Sequence, residues 1–313
     1  HVALRHPEWL GGIAAHIQRE LRVGKMSAAN REKYHRALTG ASRVPAIEAM
    51  IAGSLVDAAT APTSKVLLLE VIASSDASQL PRAWTSAVVE QLKAKSEDIL
   101  LLSALNVLAK HEMPEAEDAV LTLANAKAGE VQYRALAMVR STGFVLKDDL
   151  FDKLGAAVSE SAPANERVAA IQAFSRIKLT ESRLIALAGI LSRASVLELP
   201  RLLDAFRQSS SEKVGRALLA ALDKSPALAN LKPADLRDVL KSYPAEVRTA
   251  AEPLLKRVAV DDAALRQKFA ALDGVWKGGD IERGRHVFFS RKSLCAACHA
   301  INGEGERIAP DLS

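Results

Sequence analysis

Aromatic side chains make up only 4% of the chain although 49% of its 313 residues are hydrophobic, so the interior has to be built from aliphatic side chains, with Ala and Leu the commonest. Cysteine occurs twice, at positions 295 and 298, which leaves none for a structural disulfide elsewhere. Long apolar runs are missing. The longest stretch free of charge, Ile99 to Ala109, is far too short to cross a bilayer, so no transmembrane segment is expected. Neither sign of charge is concentrated. The formal net charge is +5, residues 273–313 hold six basic and six acidic groups, and the excess is spread thinly over the remainder with no Lys/Arg run. That density, with few aromatics for base stacking, argues against a nucleic-acid partner. Signatures of catalysis are absent too: no Gly-rich phosphate loop, no H-E-x-x-H and no G-x-S-x-G. The acidic pairs Asp148-Asp149 and Asp261-Asp262 fall at expected helix starts, where carboxylates favour the helix dipole, and need no catalytic role.

What is present is a helical pattern that repeats. Ala, Leu, Glu, Lys and Arg are strong helix formers, and no convincing alternating strand pattern competes with them. Segments with a similar apolar pattern begin at Ser64 (SKVLLLEVIASS), Asp98 (DILLLSALNVLAKH), Val131 (VQYRALAMVRSTG), Glu166 (ERVAAIQAFSRI) and Glu198 (ELPRLLDAFRQS), at successive offsets of 34, 33, 35 and 32. The stretch Glu246-Val247-Arg248-Thr249-Ala250-Ala251 continues the series after a longer unit. Pro62, Pro81, Pro114, Pro163 and Pro244 stand where helices should start, and Gly129 and Gly143 mark ends or turns. Helix, turn, helix at this period predicts an all-α fold, an α-solenoid in which each helix pair buries its apolar face only by stacking on its neighbours. Trp9, Trp84 and Trp276 are expected to pack, Trp276 against the end of the repeats. Met26, Met50, Met113 and Met138 are expected to fill gaps between helices.

Both cysteines belong to one motif, Cys295-Ala296-Ala297-Cys298-His299. C-x-x-C-H is the attachment pattern of c-type haem: two thiols one tight turn apart each add to a vinyl group, and the adjacent imidazole reaches the iron. Three other readings stand beside it. A redox dithiol expects a βαβ context, whereas the upstream sequence reads as helix. A closed zinc site needs four ligands, and no second Cys/His pair stands nearby. Chance is the third.

The flanks carry a family resemblance. Gly279-Asp280-Ile281-Glu282-Arg283-Gly284-Arg285-His286-Val287-Phe288-Phe289 resembles the first helix of a class I cytochrome c, with Gly284 and Phe288 in the G-x-x-x-F arrangement. Ala300-Ile301-Asn302-Gly303-Glu304-Gly305 and Ile308-Ala309-Pro310-Asp311-Leu312-Ser313 resemble the NGEG…IGPDLT segment of the haem-binding domains attached to large secreted proteins of planctomycetes and verrucomicrobia. The resemblance covers residues 279 to 313. The stretches E-R-V-A-A-I and E-V-R-T-A-A, at 166–171 and 246–251, resemble HEAT-like repeats, a looser and largely compositional likeness.

The cytochrome resemblance implies covalent haem c on Cys295 and Cys298, with His299 as the proximal axial ligand of the iron. It implies that the Pro310 carbonyl accepts a hydrogen bond from the other nitrogen of His299, that Gly284 allows a close helix contact, and that Phe288 packs in a small haem core. Ala309 stands where the family has glycine, and the methionine that family members carry downstream as second axial ligand does not occur before Ser313. His286 reads as solvent-facing rather than as a substitute ligand.

The expected organisation is a right-handed α-solenoid of HEAT-like repeats over residues 1–273, a glycine-containing linker at 274–279, and the N-terminal part of a cytochrome c-like domain at 280–313, truncated at its C-terminus. The chain opens at His1 without a signal-like segment and reads as part of something longer, exported to the periplasm or beyond, since this kind of haem attachment takes place outside the cytoplasm. The expected function is one-electron transfer between a redox partner protein or a dehydrogenase domain and a further acceptor. The competing expectation is a protein-interaction scaffold whose haem motif is vestigial or unoccupied.

Overall fold

In a computed structural model, residues 7–94, 96–158, 162–259, 262–272, 274, 278–290, 292–306 and 308–313 are described. The fold is all-α, with a single two-stranded hairpin near the C-terminus among those residues. In chain order the helices are α1 (Pro7–Val23), α2 (Ala28–Gly40), α3 (Pro45–Val56), α4 (Pro62–Ala73), α5 (Arg82–Lys93), α6 (Asp98–Lys110), α7 (Glu117–Ala126) and α8 (Glu130–Leu136). They continue as α9 (Asp148–Ala157), α10 (Ala164–Arg176), α11 (Glu181–Leu191), α12 (Leu199–Leu203), α13 (Glu212–Lys224), α14 (Pro233–Leu240), α15 (Ala245–Ala250), α16 (Glu252–Val258), α17 (Asp262–Leu272) and α18 (Ile281–Phe289).

Proline sets many of the starts. Pro45, Pro62 and Pro233 occupy the first helical position of α3, α4 and α14, where the missing N–H has no partner to lose. Pro81, Pro163 and Pro244 stand one residue earlier as N-caps, and Pro114 opens a short 3-10 turn ahead of α7. Ser27, Thr180 and Asp280 cap through side-chain oxygens instead. Gly129 precedes α8 at φ +70°, a conformation that favours glycine. Asp148 and Asp149 lie in the first turn of α9.

The helices of the anticipated repeats appear as α4, α6, α8, α10, α12 and α15. Contact with the second helix along the chain recurs, α1 on α3, α2 on α4, α3 on α5, α4 on α6, α5 on α7 and α6 on α8, while α7 and α8 pack chiefly on each other. The same step recurs as α10 on α12, α11 on α13, α12 on α14 and α13 on α15. Buried alanines such as Ala104, Ala169, Ala170 and Ala173 let neighbouring backbones approach, and Trp84, Phe174, Phe206 and Tyr243 supply the few large side chains of the core.

Polar contacts repeat at the same interval. Arg22 pairs with Asp57 at 2.8 Å, Arg31 with Glu70 at 2.5 Å, Lys127 with Asp98 at 2.8 Å and Arg183 with Asp148 at 2.7 Å. These pairs are partly exposed and contribute little each. The buried bonds to backbone carbonyls matter more, at about 1 kcal/mol apiece. Trp84 Nε1 donates to Glu48 O, Gln91 Nε2 to Leu55 O and the Tyr243 hydroxyl to Phe206 O, at 3.0, 2.9 and 2.7 Å, across separations of 36, 36 and 37 residues.

The chain divides into two compact units, one up to Val145 and one from Leu146. The division falls inside the stretch that sequence periodicity treats as one repeat domain, in the non-helical run between α8 and α9. Of the anticipated linker, Gly274, Gly278 and Gly279 are described; Trp276 and Asp261 lie outside the described residues. No helix among those described is long and apolar enough to cross a membrane. Trp9, expected to pack, is 49% exposed.

Urea titration of glycine variants tests the packing of α13 and of α11. A Cβ on Gly215 would come within 2.7 Å of Val247 and 2.8 Å of Tyr243, both buried, so Gly215→Ala destabilises by about 1–3 kcal/mol. Gly189 in α11 meets open space, and Gly189→Ala stabilises by about 0.5–1 kcal/mol in the same urea titration. Burial pushes the Tyr243 phenol up to about 12. Its folded pKa lies above the ordinary ~10, so its contribution to stability is complete below that pH and is lost as the pH rises toward the folded value. An ultraviolet tyrosinate titration shows a late-ionising phenol, and Tyr243→Phe removes that phase.

Candidate functional site

The C-terminal segment is assembled by turns rather than by a deep core. Helix α18 starts at Asp280, whose Oδ1 accepts from Arg283 N at 2.8 Å, and it ends at Phe289. Leu294 then takes a left-handed conformation, φ 57°, and reverses the chain into a single 3-10 turn over Cys295–Ala297. Cys295 O accepts from both Cys298 N (3.2 Å) and His299 N (2.9 Å). The two thiols and the imidazole therefore come off one turn. Both thiols are free, and Cys295, Cys298 and His299 are each half-buried.

A hairpin follows at once. Strand β1 (Ala300–Ile301) pairs antiparallel with β2 (Glu304–Gly305), with Ala300 opposite Gly305 and Ile301 opposite Glu304. The two-residue loop is Asn302-Gly303, both at positive φ (50° and 81°), the geometry that matches the twist of a tight hairpin. Gly305 is required for a second reason. At φ 107°, a Cβ there would lie 2.3 Å from His299 O.

Backbone bonds then fold the last residues over the turn. Glu306 N donates to Ala296 O (2.9 Å), Ala309 N to Cys298 O (2.7 Å) and Leu312 N to Ala300 O (2.9 Å). Ala309 needs no positive φ, so its methyl group is compatible with this path. These bonds bring Pro310 to His299, with Nδ1 and Pro310 O 2.7 Å apart. A carbonyl only accepts, so Nδ1 carries the proton, and in a neutral imidazole Nε2 then presents its lone pair. Among the described residues no group bonds to Nε2. Arg285 ties α18 to β2 through Glu304 at 2.6 Å and lies over the Phe289 ring at 5.1 Å.

Of the residues singled out in the sequence, Cys295, Cys298, His299 and Pro310 come together, and Phe288 is buried, edge-on to Phe289 with ring centroids 5.0 Å apart. Gly284 is different: nothing lies within 4 Å of where its Cβ would be, so the close helix contact expected there is not formed. His286 is exposed. Met50 and Met113 are buried, whereas Met26 and Met138 are only half-buried. Strands β1 and β2 depart from the expectation of no strands, and Asn302-Gly303 is the hairpin signal in the sequence.

The residues present fit a covalently attached porphyrin. Two half-buried thiols share a turn with an imidazole whose outer nitrogen is anchored. In the same C-terminal segment Ile281, Val287, Phe289, Ile308 and Leu312 leave apolar side chains exposed, from 37% for Phe289 to 86% for Ile281. Among the described residues no group of three or more His, Cys, Asp or Glu side chains is gathered for a metal ion, so a closed four-ligand zinc site lacks its remaining ligands there. Against family models, known proteins and solved structures, the chain finds no match.

Gly305→Ala tests this scaffold directly. We expect an unchanged helical circular dichroism spectrum together with loss of the slowly exchanging His299 Nδ1–H resonance in proton NMR, because the hairpin can no longer sit against His299 O. Retention of that resonance in a folded variant would count against the geometry.

Proposed function

We propose that residues 280–313 form the attachment segment of a c-type cytochrome, carried by a right-handed α-solenoid of HEAT-like repeats, and that the protein relays single electrons. The observation that carries this reading is the single turn holding Cys295, Cys298 and His299, with His299 Nδ1 bonded to Pro310 O. Cys295 and Cys298 would hold the haem through thioethers, and His299 Nε2 would ligate its iron. When bound, haem c supplies one-electron redox chemistry at an iron that alternates between ferric and ferrous states.

The chain's own contribution is orientation. Pro310 fixes the imidazole ring and its tautomer, raising the electron density it offers at Nε2. The exposed apolar side chains of this segment would exclude water from whatever they cover. Helix stacking at an interval of about one repeat supports the solenoid part, which would serve as a docking surface for a redox partner protein or a dehydrogenase domain. The haem reading places the protein in the periplasm or otherwise outside the cytoplasm.

The decisive experiment is periplasmic expression with the c-haem maturation machinery, followed by visible spectra and acid–acetone extraction. A reduced α-band at about 550 nm, from colour that survives extraction, is expected. The Cys295→Ser/Cys298→Ser double variant is expected to lose it. A folded but colourless protein, from cells that mature a control cytochrome, would defeat the proposal and leave the interaction scaffold.

A further inference from the structure

The chain has six asparagines, and Asn302 is the one followed by glycine. Asn30, Asn106, Asn125 and Asn165 lie within α-helices and Asn230 in a 3-10 turn, each followed by a residue with a side chain. Asn302 and Gly303 instead form the corner of the hairpin that follows the cysteine motif, and both are exposed. Gly303 has no side chain to shield its nitrogen, and nothing lies within 4 Å of where its Cβ would be. Among the described residues no group accepts a hydrogen bond from Gly303 N.

The closed turn keeps the reacting groups apart. At φ 50°, in the left-handed region, Asn302 holds the next nitrogen away from its own Cγ, so any reaction between them waits on opening of the hairpin. Each strand is two residues long, and a two-stranded hairpin is marginal on its own. Such an element belongs to the part of a fold that opens locally without global unfolding.

We propose that Asn302 is a site of spontaneous deamidation, with water as the only co-reactant, and that the reaction releases the carbonyl that orients His299. In the opened hairpin Gly303 N, its proton taken by base, attacks Asn302 Cγ. The new C–N bond closes a succinimide ring, the Cγ–Nδ2 bond breaks, and the side-chain nitrogen takes up the proton and leaves as ammonia. Water then adds to one of the two ring carbonyls. Addition at Cγ breaks its bond to Gly303 N and gives aspartate in the ordinary chain. Addition at the main-chain carbonyl leaves Gly303 N bonded to Cγ, and the product is isoaspartate with a free α-carboxylate. No electron is transferred; an amide and water become a carboxylate and ammonium.

Isoaspartate carries an extra carbon in the main chain. A two-residue loop that pairs Ile301 with Glu304 has no place in its register for that atom. Two bonds depend on this corner, Asn302 N to Ser313 Oγ at 2.6 Å and Leu312 N to Ala300 O at 2.9 Å. Pro310 stands just ahead of both on the returning segment, so losing them frees its carbonyl from His299 Nδ1. The reaction needs no haem and does not depend on the electron-transfer reading.

Ageing of the full chain in warm, mildly alkaline buffer tests the site, with the urea-unfolded chain aged in parallel and both mapped as tryptic peptides by mass spectrometry. In the folded chain the peptide 293–307 is expected to lose its Asn302 amide, in aspartyl and isoaspartyl forms, while the exposed Asn106 and Asn125 keep theirs. Gly305→Ala, which holds the hairpin off His299 O, should speed that loss. The isoaspartyl protein should lose the His299 Nδ1–H resonance, and Asn302→Asp, with the charge but the ordinary chain, should keep it. An intact Asn302 in the folded chain, under conditions that deamidate the unfolded one, would overturn the site. A resonance that persists in isoaspartyl protein would refute the coupling to His299.

Discussion

A helix of twelve or thirteen residues has too little surface to bury both its apolar stripes on one neighbour, and most of this chain is organised by that constraint. Helices α3, α4, α5 and α6 are each of this length, and each carries fully buried side chains such as Leu55, Leu69, Val88 and Leu101. Contact with the second helix along the chain, added to contact with the adjacent one, solves the problem by burying two faces in two directions. Alanine makes the close approach possible, which is why a core of this size manages with so few aromatic rings. The polar bonds follow from the same geometry. Once a helix lies over the one a repeat earlier, Trp84, Gln91 and Tyr243 reach carbonyls 36 or 37 residues back, and leaving those atoms unpaired would cost more than the bonds contribute.

The C-terminal segment obeys a different rule. It has one buried aromatic ring, Phe288, and the fully buried Ala300, so hydrogen bonds and backbone conformation carry the definition that packing supplies elsewhere. Leu294 and Asn302 adopt positive φ, an unfavourable choice for residues with a Cβ, and neighbouring bonds hold them there. Ser290 O accepts from Leu294 N at 3.2 Å, and Leu294 O from Ala297 N at 3.1 Å, so the strained residue is bonded on both sides. Five backbone or side-chain bonds link residues 306–313 to the 296–302 stretch, and they set where the thiols and the imidazole lie before any ligand is considered.

Much of this was legible in the sequence, for identifiable reasons. Proline placed helix starts to within a residue at Pro62, Pro81, Pro163 and Pro244, because its fixed φ suits only the first positions of a helix. Repeat spacing located α4, α6, α8, α10, α12 and α15 because stacking forces a common length on each unit. The reading stopped where tertiary placement decides. Nothing in the local pattern of Trp9 reports its exposure. Periodicity likewise cannot report the division at Val145, since each apolar stripe looks the same whichever neighbour receives it. In the site, Cys295, Cys298 and His299 were visible as a motif, but the role of Gly305 was not. It depends on a 2.3 Å approach to His299 O that arises only after the hairpin has closed.

Gly284 and the exposed side chains of Ile281, Val287, Phe289, Ile308 and Leu312 belong to one segment. Elsewhere among the described residues, aliphatic and aromatic side chains of this size are mostly buried; here five of them face solvent within thirty-odd residues, and nothing lies against Gly284. Exposed apolar area gathered this way raises the free energy of the isolated segment, and covering it would release roughly 25 cal/mol for every Å² removed from water. The haem proposed above, fastened at Cys295 and Cys298 by two covalent bonds, would bring a flat apolar face into this segment. The entropy of bringing it there would be lost once, at attachment, and the burial gained would then act continuously on the fold. On that argument the bonds of the 296–313 stretch set the direction of His299, and the attachment proposed above would supply packing that the segment otherwise lacks.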